Sequence, residues 1–205
     1  MNNFFCTLIT LSSLFANAQI LVSAKANLLF PTDAPTWSNV SGTALQAYET
    51  NGKTNIGFNV GLSLKVNLIK ELFVMPELYF TTLNNKHTDP FSNTTITAKT
   101  NRADLPILVG YDIWKDNLGV FAGPVASYNL NTEKKYNDFV ENAKNKFTLG
   151  YQFGVQLKIR NLIFSGRYED SFTDDQRDFI NDVTNQTIRY DYRSAMFLAG
   201  VGYAF

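Results

Sequence analysis

The chain has 205 residues, a single cysteine and a single histidine, and its 18 Lys and Arg residues balance its 18 Asp and Glu residues. This length suits one domain, and a formal net charge of zero leaves no basic field to attract nucleic acid. Aromatic residues are abundant, with 17 Phe and 10 Tyr, yet the mean hydropathy is slightly negative at −0.13. The composition excludes a bundle of apolar membrane helices. It fits a membrane β-barrel, whose strands face lipid with only every second residue.

The first 18 residues predict a secretory signal peptide, followed by one domain over residues 19–205. Leu8 to Phe15 is a short, largely apolar run, and Ala16-Asn17-Ala18 is a small-x-small cleavage pattern. The run is far shorter than the ~20 apolar residues that a spanning helix needs. Cys6 lies inside the segment that is removed, so the mature domain is expected to contain no cysteine.

Eight segments alternate between apolar and polar residues with the period of two that is typical of β-strands. In chain order they cover residues 19–30, 55–68, 71–84, 102–114, 117–130, 147–160, 161–172 and 188–205. The clearest runs from Asn55 to Leu68, where every even position is apolar and every odd position is polar or glycine. Phe147 to Arg160 repeats the pattern. A helix with this alternation would have no apolar face.

The connections between these segments alternate in length. Long ones cover residues 31–53, 85–95, 131–146 and 173–187, and tight turns fall near Ile69-Lys70, Lys115-Asp116 and Arg160-Asn161. This alternation predicts an all-β fold, an eight-stranded antiparallel up-and-down transmembrane barrel with short periplasmic turns and four long outer loops. A soluble lipocalin-like barrel is the alternative, because alternation alone does not distinguish inside from outside.

Glycine placement favours the membrane barrel over the soluble one. Gly57, Gly61, Gly150 and Gly154 all lie on polar faces, as a narrow and crowded interior requires, while bulky Phe, Leu and Ile occupy the opposite faces. Aromatic residues near the strand ends are expected to form girdles at the membrane interfaces. These residues are Trp114, Tyr128, Tyr168, Tyr190, Tyr192, Tyr203 and Phe205.

Several segments resemble the PorT-like outer-membrane barrels of Bacteroidota. The run from Leu105 to Tyr111, preceded by Arg102, resembles the fourth strand of that family. The fifth, sixth and seventh strands are matched by Gly119 to Tyr128, Gln152 to Leu157, and Arg167 to Glu169 with Ser171 to Asp174. The motif residues are Leu105, Pro106, Gly123, Pro124, Gly154 and Tyr168.

The resemblance covers essentially all of residues 19–205 and implies a fold and a location more than an activity. The location is the outer membrane of a Gram-negative bacterium, reached through the cleaved signal peptide. Tyr203 and the terminal Phe205 also resemble the end signal by which the barrel-assembly machinery recognises its substrates.

Six charged residues on the polar faces are expected to point into the barrel. They are Glu77, Arg102, Asp104, Lys158, Arg167 and Glu169. Buried charges must be paired or solvated, and the interior of an eight-stranded barrel is filled by side chains. We therefore expect a salt-bridged plug. A path for protons or ions is the alternative.

The second long connection contains the only histidine, His87, with Asp89 and Ser92 nearby. A base, a carboxylate and a nucleophile would suit catalysis, but no strained Gly-x-Ser-x-Gly turn surrounds Ser92. A solvated loop is favoured, and no catalytic residue is predicted.

The fourth long connection is acidic, with aspartates at positions 170, 174, 175, 178 and 182. Their oxygens would suit calcium, but the spacing is not that of a calcium loop. We expect solvated surface, or helix capping around Asp174 to Asp178, and no metal or cofactor. Trp37 with Tyr48, and Phe179 with Ile180, either contact an outside partner or pack loop against loop.

These patterns predict a non-enzymatic barrel that serves as a membrane anchor or interaction scaffold, and the family resemblance implies an association with secretion. Expected partners are outer-membrane lipid, the barrel-assembly machinery and envelope proteins that contact the loops or turns. The alternatives are a small solute or ion pore and a lipid-directed outer-membrane enzyme. Fold alone does not decide between them.

Overall fold

The computed structural model describes residues 20–39, 49–51, 53–88, 95–114, 117–130, 135–136, 139–143, 146–181 and 187–205. The predicted signal peptide and its cleavage point lie outside these residues. Within the described ranges, no helix is long and apolar enough to cross a membrane.

The described chain forms fifteen β-strands. In chain order they are β1 (Ile20–Pro31), β2 (Thr36–Asn39), β3 (Glu49–Asn51), β4 (Lys53–Thr54), β5 (Gly57–Ile69), β6 (Leu72–Thr88), β7 (Thr95–Trp114), β8 (Leu118–Asn129), β9 (Lys135–Tyr136), β10 (Phe139–Ala143), β11 (Phe147–Ile159), β12 (Leu162–Ser171), β13 (Asp175–Asn181), β14 (Thr187–Tyr192) and β15 (Ala195–Ala204).

Eight strands close into an antiparallel barrel in the order β5, β1, β15, β12, β11, β8, β7 and β6, with β6 pairing back to β5. The first and last barrel strands pair directly, with Phe30 opposite Phe197. Tight turns at Lys70 and Arg160 link neighbouring strands, and both residues have positive φ angles, 23° and 57°. The predicted eight-stranded up-and-down barrel is confirmed. The predicted turn at residues 115–116 lies outside the described residues.

The outer face of the barrel is apolar, as β1 illustrates. Its outward residues are Ile20, Val22, Ala24, Ala26, Leu28 and Phe30, while Ser23, Lys25 and Asn27 between them are buried. At a rise of ~3.4 Å per residue and a tilt of ~40°, this apolar row spans ~25 Å, the height of the lipid-facing band of membrane barrels.

Glycine lines the interior where a side chain would collide with the opposite strand. Gly61 faces Tyr79, and Gly154 faces Arg167. A Cβ added at Gly61 would overlap the carbonyl oxygen of Leu78 and the ring of Tyr79. The narrow interior therefore has room for large side chains only where the neighbouring strand contributes none.

A second sheet of six strands, ordered β3, β2, β14, β13, β10 and β9, lies at the loop end of the barrel, and we call it the cap. It contains residues of the first, third and fourth long connections, which the sequence predicted as loops. The second connection also differs, because β6 extends to Thr88 and β7 begins at Thr95, with Thr88 opposite Thr95.

The predicted last strand, residues 188–205, is two strands. β14 pairs with β13 and β2 in the cap, and β15 pairs with β1 and β12 in the barrel. The prediction of Tyr190 and Tyr192 as membrane-interface residues is therefore wrong, since both are buried in the cap. At the loop end an aromatic row instead crosses four neighbouring strands in register. It consists of Phe30, Phe197, Tyr168 and Phe153.

Candidate functional site: the charged interior and the cap

A buried carboxylate lies at the centre of the barrel. Glu77 on β6 accepts a hydrogen bond from Lys25 Nζ on β1 at 2.7 Å and from Arg167 on β12 at 2.5 and 3.1 Å. The side chains of all three residues are at most 2 % exposed. One carboxylate is therefore shared by two cations from opposite ends of the chain, so this cluster has an excess of positive charge.

A second cluster lies nearer the cap and has the opposite stoichiometry. Arg102 forms ion pairs with Asp104 at 2.9 Å and with Glu169 at 2.5 Å. Gln152 connects the two clusters, because its amide nitrogen donates to Glu169 at 2.9 Å and its amide oxygen accepts from Arg167 at 3.0 Å. The excess positive charge of the central cluster thus faces the excess negative charge of this one.

A third pair lies towards the turn end of the barrel. Lys65 on β5 forms an ion pair with Asp112 on β7 at 2.5 Å, and its ammonium lies 4.3 Å from the centre of the Phe73 ring. Arg167 similarly lies 4.9 Å from the centre of the Phe121 ring. Cation–π contacts of this kind further stabilise buried cations.

The three groups together contain four cations and four carboxylates. They are Lys25, Lys65, Arg102, Arg167, Glu77, Asp104, Asp112 and Glu169. Of the six residues that the sequence placed inside, the structure brings five together. Lys158 is half-exposed, two residues before the Arg160 turn, and lies outside these clusters. Lys25, Lys65 and Asp112 were not among the predicted interior charges, although each lies on the polar side of its alternating segment.

The cap is attached to the barrel through Arg177 of β13, which is fully buried. Its guanidinium donates to both carboxylate oxygens of Asp175, to Thr100 Oγ1 at 2.8 Å and to the carbonyl oxygen of Lys99 at 3.1 Å. It also lies 5.6 Å from the centre of the Tyr190 ring. Thr100 and Lys99 belong to β7, so this one side chain holds the cap against a barrel strand.

The interior of the cap is aromatic and buried. It comprises Trp37, Ala98, Phe179, Ile188, Tyr190 and Tyr192. The ring of Trp37 lies 4.9 Å from that of Tyr190 and 5.5 Å from that of Phe179, so these loop residues pack against each other. Burial raises the pKa of Tyr192 to about 12 and that of Tyr190 well above its usual value. Tyr48 lies outside the described residues.

Three of the acidic residues of the fourth connection are paired with arginines. Asp175 pairs with Arg177, Asp178 with Arg189 at 3.1 Å, and Asp170 with Arg193 at 3.5 Å. Among the residues that the structure describes, no three His, Cys, Asp or Glu side chains are grouped to hold a metal. The expected helix capping is wrong, because residues 175–181 form strand β13. Asp182 is outside the described residues.

The structure places His87 in a strand and not in a loop. Its backbone pairs with Ile96 across the β6–β7 hairpin. Asp89 and Ser92, the other two members of the proposed catalytic arrangement, lie outside the described residues.

The motif residues of the family resemblance occupy both faces of the wall. Leu105, Pro124 and Tyr168 face outward, whereas Pro106, Gly123 and Gly154 face the interior. Tyr203 and Phe205 lie together on the outer face at the turn end, with ring centres 5.7 Å apart.

A small cavity of about 20 Å³ lies between the upper ion cluster and the cap, bordered by Thr100, Arg102, Tyr192 and Ser194 among others. This volume holds about one water molecule. Ion pairs fill the described interior below this cavity and the buried side chains of the cap lie above it, so the interior can brace the barrel.

The barrel is closed, its exterior is apolar, and the positive and negative charges of its interior balance. These features define a small transmembrane β-barrel protein. The family model described as the outer membrane protein beta-barrel domain matches residues 24–175, and the chain belongs to this family. Its location is accordingly the outer membrane of a Gram-negative bacterium.

Solved structures agree with the fold. The outer membrane protein OprG from Pseudomonas aeruginosa is 11% identical, with a TM-score of 0.62 over 91% of this chain and 95% of its own. The outer membrane protein AlkL is 9% identical, with a TM-score of 0.54 over 91% of this chain and 90% of its own. At these identities the likeness concerns the fold alone. No curated protein sequence matches the chain.

Proposed function

We propose that this protein is a PorT-like barrel of Bacteroidota that serves as a non-enzymatic anchor and interaction scaffold in the cell envelope. The motif segments that resemble this family lie on four consecutive barrel strands, β7, β8, β11 and β12, in the order of the resemblance. Secretion is the process that the resemblance suggests for the scaffold.

The observation that carries the proposal is the filled interior. A pore requires a continuous water path, whereas here Glu77, Arg167, Arg102 and Glu169 form a nearly continuous layer of ion pairs across the lumen. Above that layer Arg177 holds the cap against β7. Such an interior favours rigidity over transport.

The cap supplies the contact surface for protein partners in this proposal. Its buried aromatic side fixes β13 and β14, and hydrogen bonds such as Gln176 Nε2 to Asp191 Oδ1 at 2.7 Å order the opposite side. Ile180 is 36 % exposed there. A surface that is already ordered loses little conformational entropy when a partner binds. Lipid contacts the apolar band, and the assembly machinery recognises the aromatic C-terminal end.

The scaffold role is tested by photocrosslinking in native outer membranes. A photoreactive amino acid at Ile180 is expected to form an adduct with a specific envelope protein. The matched control is the same amino acid at Val109, which is 50 % exposed on the lipid-facing wall and is expected to give lipid adducts. Equal adduct patterns at both positions would contradict the scaffold role.

Two further measurements address the alternative functions. The purified protein is expected to give no stepwise currents in planar bilayers, and regular unitary currents would instead establish a pore. Lipid A from cells that carry His87→Ala is expected to have the same mass spectrum as lipid A from wild-type cells. A mass change that depends on His87 would establish a lipid-directed enzyme.

A further inference from the structure

The lipid-facing wall carries a recess that the anchor role does not use. A cavity of about 630 Å³ opens on the outer surface and is lined by residues of β5, β1, β15, β12, β11 and β8, and a second of about 520 Å³ adjoins it on β8, β11, β12 and β15. The two share Val155 and Gly166. They form one continuous groove, which we call the wall groove.

Small side chains form the floor of the wall groove. Ala199 and Gly166 lie opposite each other on β15 and β12, in the same row as Leu28 and Val155. A Cβ added at Gly166 would meet no atom within 4 Å. Unlike the inward glycines, whose Cβ would collide with a neighbour, this glycine leaves open space on the outside.

Bulky residues border the floor on both sides along the strands. Phe164 and Val201 pair with each other one row nearer the turn end, and Tyr168 and Phe197 pair one row nearer the loop end. The rings of Tyr168 and Phe197 are 5.1 Å apart. The recess is thus bounded above and below by large apolar groups.

We propose that the wall groove binds one acyl chain of an outer-membrane lipid in a defined position. The groove lies within the apolar band, so hydrocarbon and not water is the surrounding medium. An empty recess would lose dispersion contacts along its lining, and a flexible methylene chain adapts to an irregular shape. A second barrel would touch this convex wall along a narrow strip and leave the recess unfilled.

The direction of this row of paired residues determines the orientation of the bound acyl chain. Barrel strands tilt by ~40° from the membrane normal, so a row that crosses them at right angles is inclined to the membrane plane by the same ~40°. The bound acyl chain therefore crosses β15, β12 and β11 obliquely, unlike the free chains around it.

The test uses the folded protein in nanodiscs of phosphatidylethanolamine that carries a photoreactive diazirine on one acyl chain. Mass spectrometry of the wild-type protein is expected to find the label concentrated on peptides that contain Val155, Gly166 and Ala199. In Gly166→Leu the new side chain occupies the groove, and labelling there should fall to the level of the rest of the wall.

Ala122→Leu is the matched control, because Ala122 is an exposed small residue on β8 outside the groove. It should leave groove labelling unchanged. Ala199→Leu fills the groove from the neighbouring strand and provides the test if Gly166→Leu does not fold. Uniform labelling of the wild-type wall would overturn the proposal. So would labelling that persists in the folded groove variants, or crosslinked barrel dimers centred on the groove.

Discussion

Replacing Glu77 with glutamine is expected to be the most damaging conservative change in the interior. The substitution keeps the shape of the side chain but removes the only carboxylate that Lys25 and Arg167 share. Both cations are at most 2 % exposed, so water does not screen the lost charge. Breaking a buried pair by removing one partner costs about 3–5 kcal/mol. Because two cations lose their partner here, we expect the upper end of that range.

Asp104→Asn is the matched comparison. Glu77 and Asp104 are each 2 % exposed, and both substitutions remove one negative charge. In Asp104→Asn, however, Arg102 still has an ion pair with Glu169 at 2.5 Å. The loss is then close to one charge-assisted hydrogen bond, about 1.5–3 kcal/mol. The difference between the variants, about 2 kcal/mol, measures what it costs to leave two buried cations without a counter-charge.

The assay is reversible unfolding in urea from lipid vesicles, with the change in gel mobility between folded and unfolded barrel as a second probe. Glu77→Gln should lower the free energy of unfolding clearly more than Asp104→Asn. If Asp104→Asn lowered the free energy of unfolding as much, the number of carboxylates that remain for each buried cation would not determine the stability of these clusters. If Glu77→Gln cost less than about 1 kcal/mol, the interior would be hydrated and the buried-pair reasoning would be wrong.

Three other outcomes are expected. Gly61→Ala should destabilise the barrel by about 1–3 kcal/mol in the same assay, because the added methyl group overlaps the neighbouring strand; a neutral effect would mean that the wall shifts freely. Arg177→Lys keeps the charge but loses the forked hydrogen bonds, so limited proteolysis should cleave the cap faster while the barrel keeps its folded gel mobility; unchanged cleavage would show that Arg177 does not fasten the cap. Burial holds the pKa of Tyr192 near 12, above the ~10 of an unfolded chain. The contribution of this burial is therefore complete below pH ~10 and is lost as the pH rises towards 12. The emission of Trp37, with the second tryptophan replaced by phenylalanine, should stay constant up to pH ~10 and shift to the red above it; a shift at lower pH would contradict this assignment.

The barrel could be predicted from the sequence because its main determinant is local. In β5 the alternation from Gly57 to Leu68 distinguishes the two faces residue by residue, and a strand in a closed barrel needs no other signal. Five of the eight paired charges of the interior followed from the same rule. Lys25 was missed because β1 has a single charged residue among apolar and small neighbours, whereas Lys65 and Asp112 were on recognised polar faces and were not selected.

The cap could not be predicted in the same way. Tyr190 alternates with polar residues in β14 as a barrel residue would, and its segment precedes β15 with only two residues between them. Whether it pairs with barrel strands or with β2 and β13 depends on contacts with residues more than a hundred positions away, such as Asn85 at 2.6 Å. The local alternation of apolar and polar residues carries no information about contacts with such distant residues. For the same reason the partners of Arg177 could not be identified from the sequence.

The ion pairs of the interior also have a bearing on how the barrel is assembled. Glu77 is 52 residues from Lys25 and 90 from Arg167, and Arg102 is 67 residues from Glu169. A partly inserted sheet that lacks β12 would therefore expose unmatched charges on its concave side, where lipid could not solvate them. Those charges find partners only when the last strands arrive and β15 meets β1. Closure of β15 on β1 in a shifted register would displace Arg167 and Glu169 of β12 from their partners Glu77 and Arg102. The charged residues that fill the finished barrel therefore stabilise only the completely closed barrel with the correct strand register.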